Sequence, residues 1–250
     1  MAGDDGENMR EVNGMMVVDE LLRDRGIIKA DEVWVHGMWT FSKWRRCYQA
    51  IRAGKRLVRM THGSLSPIYL ERQSRIKKRL VAPIERWLFR HAERVVVTGE
   101  WEARWCRDWG IRNRIEIIDL KKFFTFKSPV MNEGTRHVLY LGRIHPLKGI
   151  EYLRRAVEGL EGIELKIEDK AFGDEKEKLW EWCDILVLPS MSENFGLVVA
   201  EARARGKRVI VSDGAPAWSD MPKEAGVYLR GFVAASEAEK VMMLRKALRQ

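Results

Sequence analysis

Short runs of apolar residues alternate with longer amphipathic stretches through the second half of this chain. The runs His137–Leu141, Ile163–Ile167, Ile185–Leu188, Val209–Ser212 and Val227–Leu229 predict strands buried on both faces. The stretches 148–160, 174–183, 196–205, 216–224 and 236–249 predict the helices between them. Ser236 and Glu239, three positions apart, predict a capping box for the last helix. Strands alternating with helices describe an α/β fold built on a parallel, doubly wound sheet. In the first half, Val33–Val35, Arg56–Met60 and Val95–Thr98 predict strands. One long basic helix is predicted over 68–91, bent at Pro83. Its Ile76, Leu80, Ile84 and Leu88 recur every four residues, the spacing of a core-packed face. Trp101, Trp105 and Trp109 share a helical spacing and read as packing. A shift to loop composition at Lys127-Ser128-Pro129 divides the chain into domains 1–127 and 128–250.

Composition narrows the class. The chain has 250 residues, 46% of them apolar and 32% charged, which fits a globular protein of one large or two small domains. No apolar run approaches the roughly 18 residues of a membrane-spanning helix. The acidic, polar start Met1–Asn8 is unlike a secretory leader. Cys47, Cys106 and Cys183 have neither metal-site nor disulfide-framework spacing, so a reducing cytoplasm is expected. Charge is uneven: residues 41–127 carry 22 basic and 8 acidic side chains, whereas 128–250 carry 19 of each. A basic first half predicts an anionic partner on one side of the molecule. Nucleic acid, an anionic membrane and a phosphorylated glycolipid all qualify. Nothing resembles a zinc finger, an RNA-recognition motif or a helix-turn-helix, so nucleic acid is disfavoured. Arg72, Arg75, Lys77, Lys78 and Arg79 on the basic helix suit either simple solvation or a membrane surface.

Two segments carry candidate chemistry. Pro189–Ala202 follows a strand and opens a helix, with Glu193 in the loop and Glu201 about two turns into the helix. Backbone N–H groups around Asn194, Phe195, Gly196 and Leu197 would attract phosphate. The two carboxylates could accept hydrogen bonds from sugar and ribose hydroxyls. The alternative is a capped helix with two solvated glutamates. The second segment, Leu141–Gly149, closes a strand. Gly142 there permits close backbone approach, and Arg143 and Lys148 flank a turn where they could converge on a diphosphate. In an open parallel sheet both segments lie at C-terminal strand ends, where ligands sit.

The run from Pro189 through Glu193, Asn194, Phe195, Gly196, Leu197 and Glu201 to Trp218 resembles the E-x7-E signature of retaining GT-B glycosyltransferases of family 4. Gly142-Arg143 with Lys148-Gly149 is similar to that family's GRxxxxKG. His36-Gly37 and His62-Gly63 resemble its pair of His-Gly turns. The resemblance covers about residues 31–220. It implies two Rossmann-type domains, the N-terminal one abbreviated. It further implies a retaining, metal-independent transfer from a nucleotide-sugar, with no cofactor, and no Asp-x-Asp motif occurs in the chain. By the same resemblance Arg143 and Lys148 bind the leaving diphosphate, Glu193 the donor sugar and Glu201 the ribose. His62 contacts a donor sugar hydroxyl, and His36 is structural. The acceptor would be a bacterial surface glycan or lipid-linked glycan, as in lipopolysaccharide or exopolysaccharide synthesis, made at the inner face of the plasma membrane. The alternative is a relative that binds nucleotide-sugar or a partner without turnover. The chain departs from the pattern in the inserted Ala217, in Lys207-Arg208, and in Ile118–Lys121. It also lacks a Gly-rich loop in residues 1–32 and is shortened at Glu168–Ala171.

Overall fold

A computed structural model describes residues 10–12, 15–17, 31–72, 75–130 and 134–250, and the chain divides into two compact units, Met1–Ile118 and Asp119–Gln250. Each is described by itself. The expectations for most of residues 1–32, and for the side chains of Arg72, Arg75, Ile76, Lys77 and Lys78, lie outside the described residues.

In the first unit, β1 (Arg10–Val12) and β2 (Met15–Val17) form a short antiparallel pair. The main sheet is made of β3 (Glu32–His36), β4 (Arg56–Met60), β5 (Arg94–Val97) and β6 (Arg114–Ile117), side by side in chain order and all parallel. Helices α1 (Phe41–Arg52), α2 (Pro67–Arg72), α3 (Arg75–Arg90) and α4 (Glu100–Asp108) make the crossovers. Alternation along the strands feeds two cores. Val33, Val35, Cys47, Ala50, Leu57 and Leu88 form one, and Met38, Leu65, Phe89, Val95, Val97 and Cys106 the other. Trp105 and Trp109 pack against the second core, as their spacing predicts.

The second unit carries β7 (Arg136–Leu141), β8 (Ile163–Glu168), β9 (Ile185–Leu188), β10 (Arg208–Ser212) and β11 (Gly226–Leu229). All pairs are parallel and the order is β11-β10-β9-β7-β8. Helices α5 (Ile150–Val157), α6 (Gly173–Trp182), α7 (Leu197–Ala204) and α8 (Glu237–Leu248) complete the unit. The capping box of Ser236 and Glu239 is present. Strand order reverses direction between β7 and β9, so the crevice above their C-terminal ends is the topological switch point. The segment 119–130 is fastened to this unit. Lys127 N donates to Arg203 O at 3.0 Å, and Lys121 Nζ pairs with Asp220 at 2.5 Å. Only four residues join β8 to α6, as the shortening at Glu168–Ala171 implies.

Three local expectations are corrected. The stretch 68–91 is two helices, α2 and α3, and Pro83 lies inside the second. Leu80 and Ile84 are exposed, not core, because α3 turns Glu85, Leu88 and Phe89 inward instead. Residues 216–224 form two 3-10 turns, Pro216–Trp218 and Lys223–Ala225, in place of one helix. The Trp218 indole is buried and donates to Phe195 O at 2.7 Å, and that tertiary anchor overrides local propensity.

Candidate active site

In the second unit, the loops after β7 and β9 meet at the switch point. Gly149 has φ 66°, and a Cβ there would lie 2.1 Å from Pro189 O. Only glycine lets these loops approach so closely. Met191 N donates to Leu147 O at 2.7 Å, and Glu193 N to Gly214 O at 2.8 Å. The two loops are thereby fixed to each other and to the turn after β10.

This places Lys148 and Glu193, 45 residues apart in sequence, in contact: Lys148 Nζ donates to Glu193 Oε2 at 2.5 Å. Glu193 Oε1 accepts from Asn194 N at 3.1 Å. Gly142 leaves β7 at φ 148°, a conformation L side chains rarely adopt. Its N–H donates to Glu168 O at 2.9 Å. Arg143 follows, exposed and without an ion pair among the described residues. Tyr140 donates its hydroxyl to Arg143 O at 3.0 Å. Burial, then the carboxylates of Glu193 and Asp169, hold that phenol above its ordinary range, so it stays a donor.

Gly196 caps α7 without a side-chain bond, and no acid lies in the helix's first turn. Phe195 is buried beneath that turn, whereas Leu197 is exposed. Val199 N already donates to Gly196 O at 2.9 Å, whereas the N–H groups of Leu197 and Val198 lie beyond intrahelical acceptors and carry the positive end of the dipole. Glu201 is engaged with Lys176 of α6, whose Nζ lies 2.8 Å from Glu201 Oε2. A ribose hydroxyl would therefore share that carboxylate with a lysine.

The first unit holds the remaining predicted residue. His62 follows β4 at φ 48°, a left-handed conformation uncommon for a side-chain-bearing residue. Its Nε2 lies 2.8 Å from His36 Nδ1, with the rings stacked at 5.0 Å. His36, expected as structural, is thus His62's neighbour. Two buried carboxylates, which sequence reading missed, hold the two His-Gly turns. Glu102 accepts from Thr61 Oγ1 and Gly63 N, both at 2.6 Å, and from Thr98 N and Oγ1, both at 3.0 Å. Glu85 pairs with Arg59 at 3.0 Å and accepts from Trp39 N at 2.6 Å, while Arg59 Nη2 donates to Gly37 O at 3.2 Å. Nothing local in sequence marks Glu85, which sits inside α3 between Ile84 and Arg86. Glu102 lies within a stretch similar to the family, but only the fold gives it four donors.

The surrounding protein penalises a charged His62 ring. This desolvation, with Lys43 acting in the same sense against Glu102, lowers the pKa below 6.5. The folded state then binds fewer protons than the unfolded chain between the lowered pKa and 6.5. The His62 contribution to stability should fall as pH drops through that window and stay constant above it, and it is small because the residue is exposed. Asparagine tolerates the left-handed backbone, so His62→Asn should flatten this dependence. Urea midpoints at pH 7.5 and 5.5 check it; an equal pH slope in both proteins would contradict it.

Residues 18–120 match the glycosyl transferase 4-like domain, and residues 172–250 match glycosyl transferases group 1. An uncharacterized glycosyltransferase of Methanocaldococcus jannaschii is 30% identical over 114 residues, which cover 34% of this chain and 29% of that protein. An uncharacterized 41.2 kDa protein in the cps region of Klebsiella pneumoniae is 26% identical over 169 residues, covering 55% of this chain and 47% of that protein. The chain spans less than half the length of these curated relatives. Among solved structures, Anabaena HepE in complex with UDP aligns with TM-score 0.61 at 15% identity, over 90% of this chain and 71% of that one.

Proposed function

Since the chain belongs to the glycosyltransferases that these two domain families describe, with the two parallel-sheet units of the GT-B fold, we propose that it transfers a sugar from a nucleoside-diphosphate-sugar. The observation that carries this reading is the meeting of Lys148 and Glu193 at the switch point of the second sheet, with Arg143 earlier in the loop that bears Lys148 and the open start of α7 just after Glu193. A leaving diphosphate needs cations and N–H donors, and a donor sugar needs hydrogen-bond acceptors. Both kinds of group converge there. The UDP held by the Anabaena neighbour supports a nucleotide of this class. The acceptor is a surface glycan or a lipid-linked glycan at the inner face of the plasma membrane; the relative from a cps region supports the first half of that statement.

In the proposed reaction the bond from the sugar's anomeric carbon to the diphosphate oxygen breaks. A bond to the acceptor oxygen forms, with retention of configuration. The acceptor proton passes to the departing diphosphate, so no protein base is required. Arg143, Lys148 and the α7 N–H groups stabilise the charge that develops on the diphosphate, without a metal ion. Glu193 holds the sugar and Glu201 the ribose. His62 is assigned to a donor sugar hydroxyl. A second reading, donor binding without turnover, draws on the pairing of Lys148 with Glu193, in which each charge already satisfies the other.

Arg143 supplies the direct test. It is exposed, so its loss should leave the fold intact. Arg143→Ala should weaken nucleoside diphosphate binding by about 1.5–3 kcal/mol, the range for hydrogen bonds to charged groups. Calorimetry with UDP, GDP and ADP reads this. Unchanged affinity for whichever nucleotide binds would remove Arg143 from the site.

A further inference from the structure

Helices α1 and α3 pack side by side and present a surface that donor chemistry does not use. Trp44 Nε1 of α1 donates to Glu85 of α3 at 2.8 Å, and the Tyr48 and Trp87 rings lie 6.4 Å apart. Beyond these contacts α3 has three sides. Glu85, Leu88 and Phe89 face the core. Leu80, Ile84 and Trp87, at helical spacing, form an apolar stripe that is 74%, 42% and 40% exposed. Arg79, Arg86 and Arg90 form an exposed basic stripe beside it. On α1, Phe41 and Tyr48 extend the apolar surface at 76% and 50% exposure. Arg45 and Arg52 alternate with them along the same face, also exposed. The sole carboxylate in either helix is Glu85, and it is buried against Arg59.

We propose that this α1–α3 face docks on an anionic lipid surface. An exposed apolar and aromatic surface edged by arginine on α3 and interspersed with it on α1, with no exposed acid on either helix, has the chemistry of helices lying in a membrane interface. The aromatic and aliphatic groups enter the headgroup boundary and the guanidinium groups meet lipid phosphates. At the basic edge, Arg86, Arg90 and Arg112 surround a cavity of about 370 Å³ whose wall includes Trp109, with the Arg86 guanidinium 5.2 Å from that ring. A headgroup phosphate fits that cluster of guanidinium groups. A nucleic-acid surface would use the arginines but leave Phe41, Leu80 and Ile84 without a role. The proposal rests on the membrane-side reading above and names its surface.

Flotation of the full chain with vesicles tests it without any turnover. The protein should float with vesicles of phosphatidylglycerol and phosphatidylcholine, and not with phosphatidylcholine alone. Binding should fall steeply toward about 1 M salt, where exposed charges are screened within about 3 Å. Arg86→Gln and Arg90→Gln should each lower partitioning about fivefold. Leu80→Gln with Trp87→Ser should lower it about tenfold or more. All four positions are exposed, and circular dichroism verifies folding. Four results would each overturn the proposal: equal binding to neutral vesicles, binding to neither, wild-type binding by a folded Leu80→Gln/Trp87→Ser protein, or binding to duplex DNA with none to vesicles. Nucleoside diphosphate binding on the same preparation reports the donor site separately, so failure of one reading is distinguishable from failure of the other.

Discussion

Replacing Glu85 by alanine is expected to cost the first unit about 3–5 kcal/mol of stability, the range for removing one partner of a buried ion pair. Glu85 and Arg59 are both 0% exposed, so the substitution leaves a guanidinium without water or counter-charge. It also removes the acceptor for Trp39 N and for Trp44 Nε1. The consequence is local as well as global, because Arg59 ties the Gly37 carbonyl and Glu85 ties the Trp39 amide of the first His-Gly turn. The thermal transition of this unit should fall by about 10–20 °C. Replacing both partners, as in Arg59→Met with Glu85→Leu, should recover much of the loss, since no charge is then left buried alone. A Glu85→Ala protein that unfolds within about 1 kcal/mol of wild type would show that the pair does not hold the turn.

Glu193→Gln should lower kcat by about a hundredfold, or about 2.7 kcal/mol of transition-state stabilisation. The amide keeps the size of the side chain but loses its charge. Lys148 Nζ then loses the counter-charge 2.5 Å away, and the sugar loses an anionic acceptor. The contacts of Glu193 are proposed to strengthen as positive charge develops on the sugar ring, so the loss should fall on kcat. Glu201→Gln should instead raise KM with little change in kcat, because a ribose contact is made equally in ground and transition states. The split between the two variants is the informative readout. Identical effects on KM alone would reduce Glu193 to a binding residue.

Much of the second unit was legible in the sequence. Ile185–Leu188 is buried at every position and sits centrally in its sheet, so its unbroken apolar run could belong to little else. The first unit was harder for physical reasons. Strand β6 reads Arg-Ile-Glu-Ile and lies at a sheet edge, where one strand face meets solvent and charges are admissible. Helix α1 has no side-chain cap and no acid in its first turn, so no start signal announced it. The four-residue period of Leu80, Ile84 and Leu88 pointed to a core, yet the inward face of α3 includes the charged Glu85. A periodicity argument counts that residue as polar and misplaces the face by about one step. For the site, each of Arg143, Lys148, Glu193 and Glu201 was visible as a motif residue. Their partners were not. Lys148 meets Glu193, and Lys176 meets Glu201, only because the strand order brings separate loops together. The carboxylate of Glu102 likewise takes two donors from Thr98, four residues away, and two from the turn at Thr61 and Gly63, which no local window reaches.

Sugar transfer from a panel of labelled nucleoside-diphosphate-sugars, with a lipid extract as acceptor, tests the central claim most directly. The full chain is predicted to release one nucleoside diphosphate for each sugar transferred, from one donor of the panel, with the product's anomeric configuration matching the donor's. Arg143→Ala and Glu193→Gln should abolish most of that release. A wild-type protein that binds a donor at the switch point yet turns over none, with any acceptor, would contradict the account and leave a nucleotide-sugar-binding relative in its place.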